Sequence, residues 1–352
     1  MNDPVIFLLG ATGYVGSQFL VFLGQTLSNL SVRALVRSPT KDRETWLQQT
    51  HPNLIIIEGS LDDTELIEEQ ARKADIVINI ASCDHISCSI LSGLSKRSMD
   101  NPKEPPTLLH ISGTGILSDN ARGEPLVTPK VYSDLDLDLD SLPAENPHLQ
   151  IDIPIVKAGI SKEHHVRTAI LFPGFIYGLV IGIYVIEGIQ KKPTWARLLL
   201  HFAKNTGHVG MWGRGLNTMS IIHVKDVATA IMTVLKALLD DRADVGSEGL
   251  YFVGCNEIRP SWLDITSATG DYLYSKGVVS QAGTRPYSDD FIQSFTAGNL
   301  SRGVYSDGWH TFGANNWVES DRLTKFGWQP VETRKNNFFD TLKASLEIAL
   351  QD

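Results

Sequence analysis

Near its start the chain reads Val5-Ile6-Phe7-Leu8-Leu9-Gly10-Ala11-Thr12-Gly13-Tyr14-Val15-Gly16, and this stretch decides the fold. Five consecutive apolar residues predict a strand buried on both faces, and a helical pattern, residues 14–28, begins directly after the glycines. Glycines at a strand-to-helix turn permit a tight reversal and let backbone N–H groups approach a pyrophosphate at the positive end of the helix. A glycine triplet alone is weak evidence, whereas one placed after a strand and before a helix is specific. Gly10, Thr12, Gly13, Tyr14, Val15 and Gly16 are therefore the expected phosphate cradle.

Outward from this loop the same texture repeats. Residues 31–36, 54–58, 75–80, 108–111 and 167–172 are further apolar, β-branched runs, and helical patterns at 42–50 and 64–73 alternate with the first four strands. Apolar strands separated by helices predict an α/β fold, a Rossmann-type doubly wound parallel sheet with a smaller C-terminal substrate-binding region. The expected division is residues 1–178 plus about 213–258 for the dinucleotide domain, and about 179–212 plus 259–352 for the substrate side. The second strand ends in Val36-Arg37-Ser38. A carboxylate there would bond the 2′-hydroxyl of NAD, whereas an arginine accommodates the 2′-phosphate of NADP. NADP is the expected cofactor, with NAD the alternative. Leu61 and Asp62 are expected at the adenine edge, and Ala81 and Ser82 along the same crevice. An exposed arginine on a charged loop is the plainer reading of Arg37.

Composition narrows the class. A chain of 352 residues, 42% hydrophobic and 20% charged, has core enough for about two domains. Its net charge of −9 disfavours a nucleic-acid partner, since counterion release needs a basic surface. Three cysteines, Cys83, Cys88 and Cys255, make no disulfide framework. With no basic leader before the first strand, a cytoplasmic location is expected. Thr168–Ile186 is uncharged over nearly a membrane-spanning length, but Pro173-Gly174, Gly178 and Gly182 break it, so no membrane span is expected. The expected partner is a small molecule, and a homodimer is compatible with that.

These motifs together resemble a known family. Gly10–Gly16 is similar to the cofactor loop of the extended short-chain dehydrogenase/reductases, the nucleoside-diphosphate-sugar epimerase-like proteins. Leu109-His-Ile-Ser-Gly-Thr114 resembles their fifth strand, Leu171-Phe-Pro-Gly-Phe-Ile-Tyr-Gly178 their R-P-x-x-V-Y-G, and Ile222-His-Val-Lys-Asp-Val-Ala228 their V-H-V-x-D-V-A. Leu250–Gly254 and Phe326-Gly-Trp-Gln-Pro330 match a late strand and the closing L-G-W-x-P. The resemblance implies that Thr114 holds a substrate oxygen and that Pro173 and Ile176 lie near the nicotinamide.

It also exposes a departure. The family's Y-x-x-x-K places an ammonium beside a phenol, whose lowered pKa suits it to proton transfer at the substrate oxygen. Between Ser141 and Arg167 there is no tyrosine, and the alignment sets His148 on the tyrosine and Asp152 on the lysine. This puts ordinary carbonyl–alcohol redox in question. Three readings stay open: His148 and Asp152 act as an acid/base pair, both are surface residues with catalysis elsewhere, or the site is silent. Tyr177 is the substitute acid, or else a packing residue of its motif. The literal Tyr272-Leu-Tyr-Ser-Lys276 lies on a later amphipathic pattern and reads as a decoy. Cys83, His85 and Cys88 superficially resemble a zinc site but lack a fourth ligand with matching spacing, and no metal is expected. The Asp134–Asp140 alternation reads as a solvated loop. The functional expectation is an NADP-dependent oxidoreductase acting on a small apolar carbonyl, alcohol or enone, in a pocket built with Trp195, Met211 and Trp212. The alternatives are a non-catalytic NADP sensor resembling the NmrA-like group, or a non-redox isomerase or lyase.

Overall fold

A computed structural model describes residues 3–81, 86–128, 130–163, 165–180, 193–294 and 308–351. The central strands are β1 (Val5–Leu9), β2 (Ser31–Val36), β3 (Leu54–Glu58), β4 (Ile76–Asn79), β5 (Thr107–Ile111), β6 (Arg167–Pro173) and β7 (Leu250–Val253). They form one seven-stranded parallel sheet in the order β7-β6-β5-β4-β1-β2-β3. The chain leaves β1 toward β2 and β3, then crosses back to lay β4 against the other edge of β1. A crevice opens at such a reversal, beyond the carboxyl ends of the strands.

The helices cover both faces. They are α1 (Tyr14–Thr26), α2 (Lys41–Thr50), α3 (Thr64–Arg72), α4 (Ser87–Asp100), α5 (Leu149–Ile160), α6 (Thr194–Thr206), α7 (Val224–Leu239) and α8 (Trp262–Ser275). Successive strand residues point to opposite faces, and β1 shows the result. Ile6 and Leu8 pack with Leu20 and Leu23 of α1 and Ile231 and Leu235 of α7. Phe7 and Leu9 pack with Ile67 of α3, Ile90 and Leu94 of α4, and Ile155 of α5. The apolar runs correspond to strands within a residue or so at each end. Helix α4 had no expectation, because its serines and glycine blur the apolar stripe.

Beyond the sheet, α6, α8 and the C-terminal helix Phe338–Leu350 enclose an aromatic cluster. Trp262 stacks on Phe312 with centroids 4.6 Å apart, and Trp212 meets both edge-on. Ser261 caps α8 through a reciprocal bond with Asp264.

The late chain returns to the sheet. Trp317–Glu319 pairs in parallel with Val131–Ser133, and Leu323 and Trp328 are buried in the same cluster as Ile6 and Leu8. Residues 317–328, expected on the substrate side, thus pack into the dinucleotide half. Asp134 explains part of this. It is only 1% exposed, and its carboxylate accepts the Phe252 and Arg322 amides, each at 3.0 Å. Burial pushes it up to about 6, outweighing those two amides and the Arg322 charge. The expectation of a solvated loop therefore holds for exposed Asp136, Asp138 and Asp140 but fails for Asp134 and the buried Leu139.

Candidate functional site

The glycine loop is closed on itself. Gly10 adopts a φ of +90°, and a Cβ there would lie 2.9 Å from the Ala81 amide nitrogen. A Cβ on Gly16 would lie 1.9 Å from the Gly10 carbonyl oxygen, and the Gly13 amide donates to that oxygen at 2.9 Å. Helix α1 starts from Gly13 with no side-chain cap and no acidic residue in its first turn. Its first amides therefore present partial positive charge where a pyrophosphate would lie, and the cradle fits a dinucleotide. Thr12 and Val15 are half-buried beside it. The Tyr14 side chain is engaged elsewhere, since its hydroxyl donates to the Gly178 carbonyl at 2.5 Å and ties the loop to the exit of β6. Desolvation holds that phenol well above its usual range.

At the end of β2, Arg37 and Ser38 are exposed, and Ser38 takes a φ of +46°. Arg43, which had no expectation, donates from one Nη to the Arg37 and Ser38 carbonyls at 2.9 and 3.1 Å and fixes this turn. Leu61 is half-buried and Asp62 exposed. Ala81 is buried, and its amide donates to Asn79 Oδ1 at 3.1 Å. Ser82, Cys83 and His85 lie outside the described residues. Among the described residues no group of three or more His, Cys, Asp or Glu side chains could hold a metal ion.

Thr114 and His148 come together beyond β5. Thr114 opens a short 3₁₀ turn, is buried, and donates its hydroxyl to Asn316 Oδ1 at 3.2 Å. His148 is the N-cap of α5, at a φ of +69°, a left-handed conformation that costs a side chain about 1–2 kcal/mol. Its ring lies against the β5 exit: a Cβ on Gly113 would be 3.5 Å from Nε2 and 3.9 Å from the Pro173 carbonyl oxygen. Pro173 is buried, and half-buried Ile176 accepts the Trp195 indole N–H at 2.9 Å.

Asp152 departs from expectation. Its carboxylate is fully buried and directed under β5, where Oδ2 accepts the Ser112 hydroxyl at 2.6 Å and Oδ1 lies 3.7 Å from His110 Nε2. Asn79 Nδ2 donates to His110 Nδ1 at 3.2 Å, which leaves the ring proton on Nε2. Burial first, and the neighbouring His148 second, push His110 down to about 3. His110 is therefore neutral at pH 7, and the 3.7 Å contact is no ion pair. Sequence reasoning missed Asn79, His110 and Ser112. The available signal was the recurrence of polar residues two apart in an otherwise apolar strand.

Of the two readings of Tyr177, acid or packing residue, its surroundings favour the packing residue. It is 1% exposed, shares its hydroxyl proton between the Thr333 and Asn336 carbonyls, each at 3.1 Å, and packs edge-on against His223. Burial raises its pKa still further from the useful range. Trp195 and Trp212 are likewise core, not pocket wall: Trp212 is fully buried and donates to the Gly308 carbonyl at 2.9 Å. Met211 is half-buried against the same cluster, and residues 181–192 lie outside the described chain. At the C-terminal cap of α8, Lys276 Nζ sits 5.3 Å from the centre of the Tyr272 ring, which packs against the aromatic cluster beyond the sheet.

The sheet order and the glycine cradle define an α/β protein with a doubly wound parallel sheet of the Rossmann type. The chain shares its overall fold with NAD-dependent epimerases and dehydratases of known structure. The NmrA-like family model matches residues 2–94. The chain is similar to oxidase ucsJ of an Acremonium species, 28% identical over 345 residues covering 93% of this chain and 92% of that one. It is also similar to the low-salt glycan biosynthesis protein Agl12 of Haloferax volcanii, 26% identical over 364 residues and 99% of each. Among solved structures, dTDP-glucose 4,6-dehydratase from Bacillus anthracis, determined with NAD, superimposes with a TM-score of 0.62 at 15% identity, covering 99% of this chain and 97% of that one. UDP-glucose-4-epimerase from Stenotrophomonas maltophila, also with NAD, gives 0.61 at 15%, covering 99% and 98%. Among the described residues no helix is long and apolar enough to cross a membrane.

Proposed function

We propose that the protein is an NADP-dependent oxidoreductase acting on a small apolar carbonyl, alcohol or enone. The observation that carries this is the uncapped start of α1, closed by Gly10–Gly16, at the head of a sheet whose β5 exit gathers Ser112, Thr114 and His148. The amides of residues 13–15 would hold the pyrophosphate, Arg37 the 2′-phosphate, and Pro173 and Ile176 the nicotinamide side. When bound, the dinucleotide supplies or accepts a hydride. Thr114 and His148 then present a hydroxyl and an imidazole to the substrate oxygen. An apolar substrate is favoured over a nucleotide sugar because, among the described residues, Arg197, Arg214 and Arg285 build no diphosphate clamp. Arg214 is exposed and engaged with Glu124 at 3.1 Å, and Arg197 and Arg285 are exposed. The dinucleotide domain is residues 1–178 and about 213–258, completed by the returning segment 317–328.

A second reading, an NADP sensor, is favoured by the match of residues 2–94 to the NmrA-like family and by the missing tyrosine and lysine. Incubating the protein with NADPH and a panel of aldehydes, ketones and enones separates the two. Loss of dihydronicotinamide absorbance supports the oxidoreductase, whereas binding without consumption across the panel refutes it in favour of the sensor.

A further inference from the structure

Building on the oxidoreductase reading, we propose that Ser112 and Asp152 are the proton-relay pair of this site, with Ser112 the residue that meets the substrate oxygen. Three observations carry this. Ser112 is half-buried at the carboxyl end of β5, two residues before Thr114, while Asp152 behind it has no exposed surface. Their oxygens are 2.6 Å apart, a distance typical of a charge-assisted or strongly polarised O–H···O bond. The assembly is braced from below. The Ala81 amide holds Asn79 Oδ1, Asn79 Nδ2 holds His110, and the His110 ring edge abuts Asp152 Oδ1 at 3.7 Å. This polar chain joins the exits of β4 and β5 to α5, beneath the place where sequence and cradle put the nicotinamide. Buried polar chains of this kind are costly unless each member is satisfied, and they concentrate at functional sites.

The step balances without further reagents. An alcohol substrate would give its carbinol hydride to the oxidised nicotinamide while its hydroxyl proton passes to Ser112 Oγ and the O–H electron pair becomes the C=O π bond. Ser112 Oγ in turn passes its own proton to Asp152 Oδ2, the acceptor it already faces. The alcohol is thereby oxidised to a carbonyl and the nicotinamide reduced, and carbonyl reduction is the same sequence run backwards. Asp152 exchanges that proton with water through the half-buried serine, its connection to the surface. His110 contributes as a positioning residue, since its Nε2–H edge can face the carboxyl without competing for the Ser112 hydroxyl.

The test compares Ser112→Ala, Asp152→Asn and His148→Ala with the unaltered protein. NADPH affinity by calorimetry first establishes that each variant folds and binds. Turnover, its pH profile and its solvent deuterium isotope effect are then measured on a substrate found in the panel. The pair predicts kcat losses of about 10²- to 10⁴-fold in both Ser112→Ala and Asp152→Asn at unchanged NADPH affinity, with a changed solvent isotope effect. Wild-type turnover in Ser112→Ala, or a large loss confined to His148→Ala, overturns the pair and leaves the oxidoreductase reading standing. No consumption of NADPH by the unaltered protein overturns both.

Discussion

His110 makes the acid stability of this protein predictable in sign and size. The imidazole is 5% exposed, and burial lowers it from the ordinary 6.5 to about 3. A histidine lowered in the folded state stabilises fully above its unfolded value and loses that contribution as pH falls toward the folded one. Between pH 8 and pH 5 the unfolded chain gains proton-binding free energy of about 1.36 kcal/mol per pH unit below 6.5, about 2 kcal/mol in all, and the folded chain gains almost none. His110→Gln keeps an acceptor for Asn79 Nδ2 but cannot titrate. Urea unfolding of both proteins at the two pH values, followed by the fluorescence of the seven tryptophans, reads the difference. Asp134 shifts stability in the opposite direction over this interval, so the comparison between proteins carries the result, not either curve alone. The advantage of the unaltered protein over His110→Gln should shrink by about 2 kcal/mol on going to pH 5. An advantage that stays constant within about 0.5 kcal/mol would refute the picture of a buried neutral histidine.

Three further outcomes follow from named contacts. Arg37→Ala should weaken NADP binding by about 1.5–3 kcal/mol, roughly ten- to over a hundredfold, and leave NAD binding unchanged, as calorimetry with both cofactors would read. Asp134→Asn turns an amide donor toward the Phe252 or Arg322 N–H and should cost about 1–3 kcal/mol at low pH. Because the Asp134 carboxyl is raised to about 6, its contribution is full below about 3.8 and fades as pH rises through 6, so the gap to the variant should narrow toward pH 7 in unfolding curves. Tyr177→Phe removes a hydroxyl that serves two carbonyls and should lower the melting temperature by several degrees while leaving turnover intact. A large loss of rate there would return the tyrosine to the reaction.

The parallel sheet and its glycine turn were legible because their signals are local. Glycine spacing, strand and helix period lie within a dozen residues of one another, and each is set by backbone geometry. The candidate site beyond β5 was only half legible. The alignment assumed that the residues at 148 and 152 both ride on one helix, one turn apart. The helix in fact starts at Leu149, so His148 stands outside it as a cap and turns toward Gly113, while Asp152 turns under β5. Ser112, forty positions from its carboxylate, shows no local pattern that names its partner. Tyr177 finds its acceptors 156 and 159 residues later, a distance over which no periodicity carries. Asp134 and its neighbours in the alternating run are chemically identical, and only the return of Arg322 makes one of them an interior group.

That return has a consequence for how the chain is made. The Asp134 carboxylate is completed by an amide 188 residues downstream, and a ribosome adding roughly 5–20 residues per second needs about 10–40 s to supply it. Over that interval the N-terminal half can lay down its glycine loop and first strands, but β7, once made, still lacks Val318 on one face and Leu323 and Trp328 on the other. The nascent protein is thus an unfinished sandwich with an apolar flank open to its surroundings. Closure waits on a short segment near the C-terminus, which acts as the latch of a fold begun at the other end.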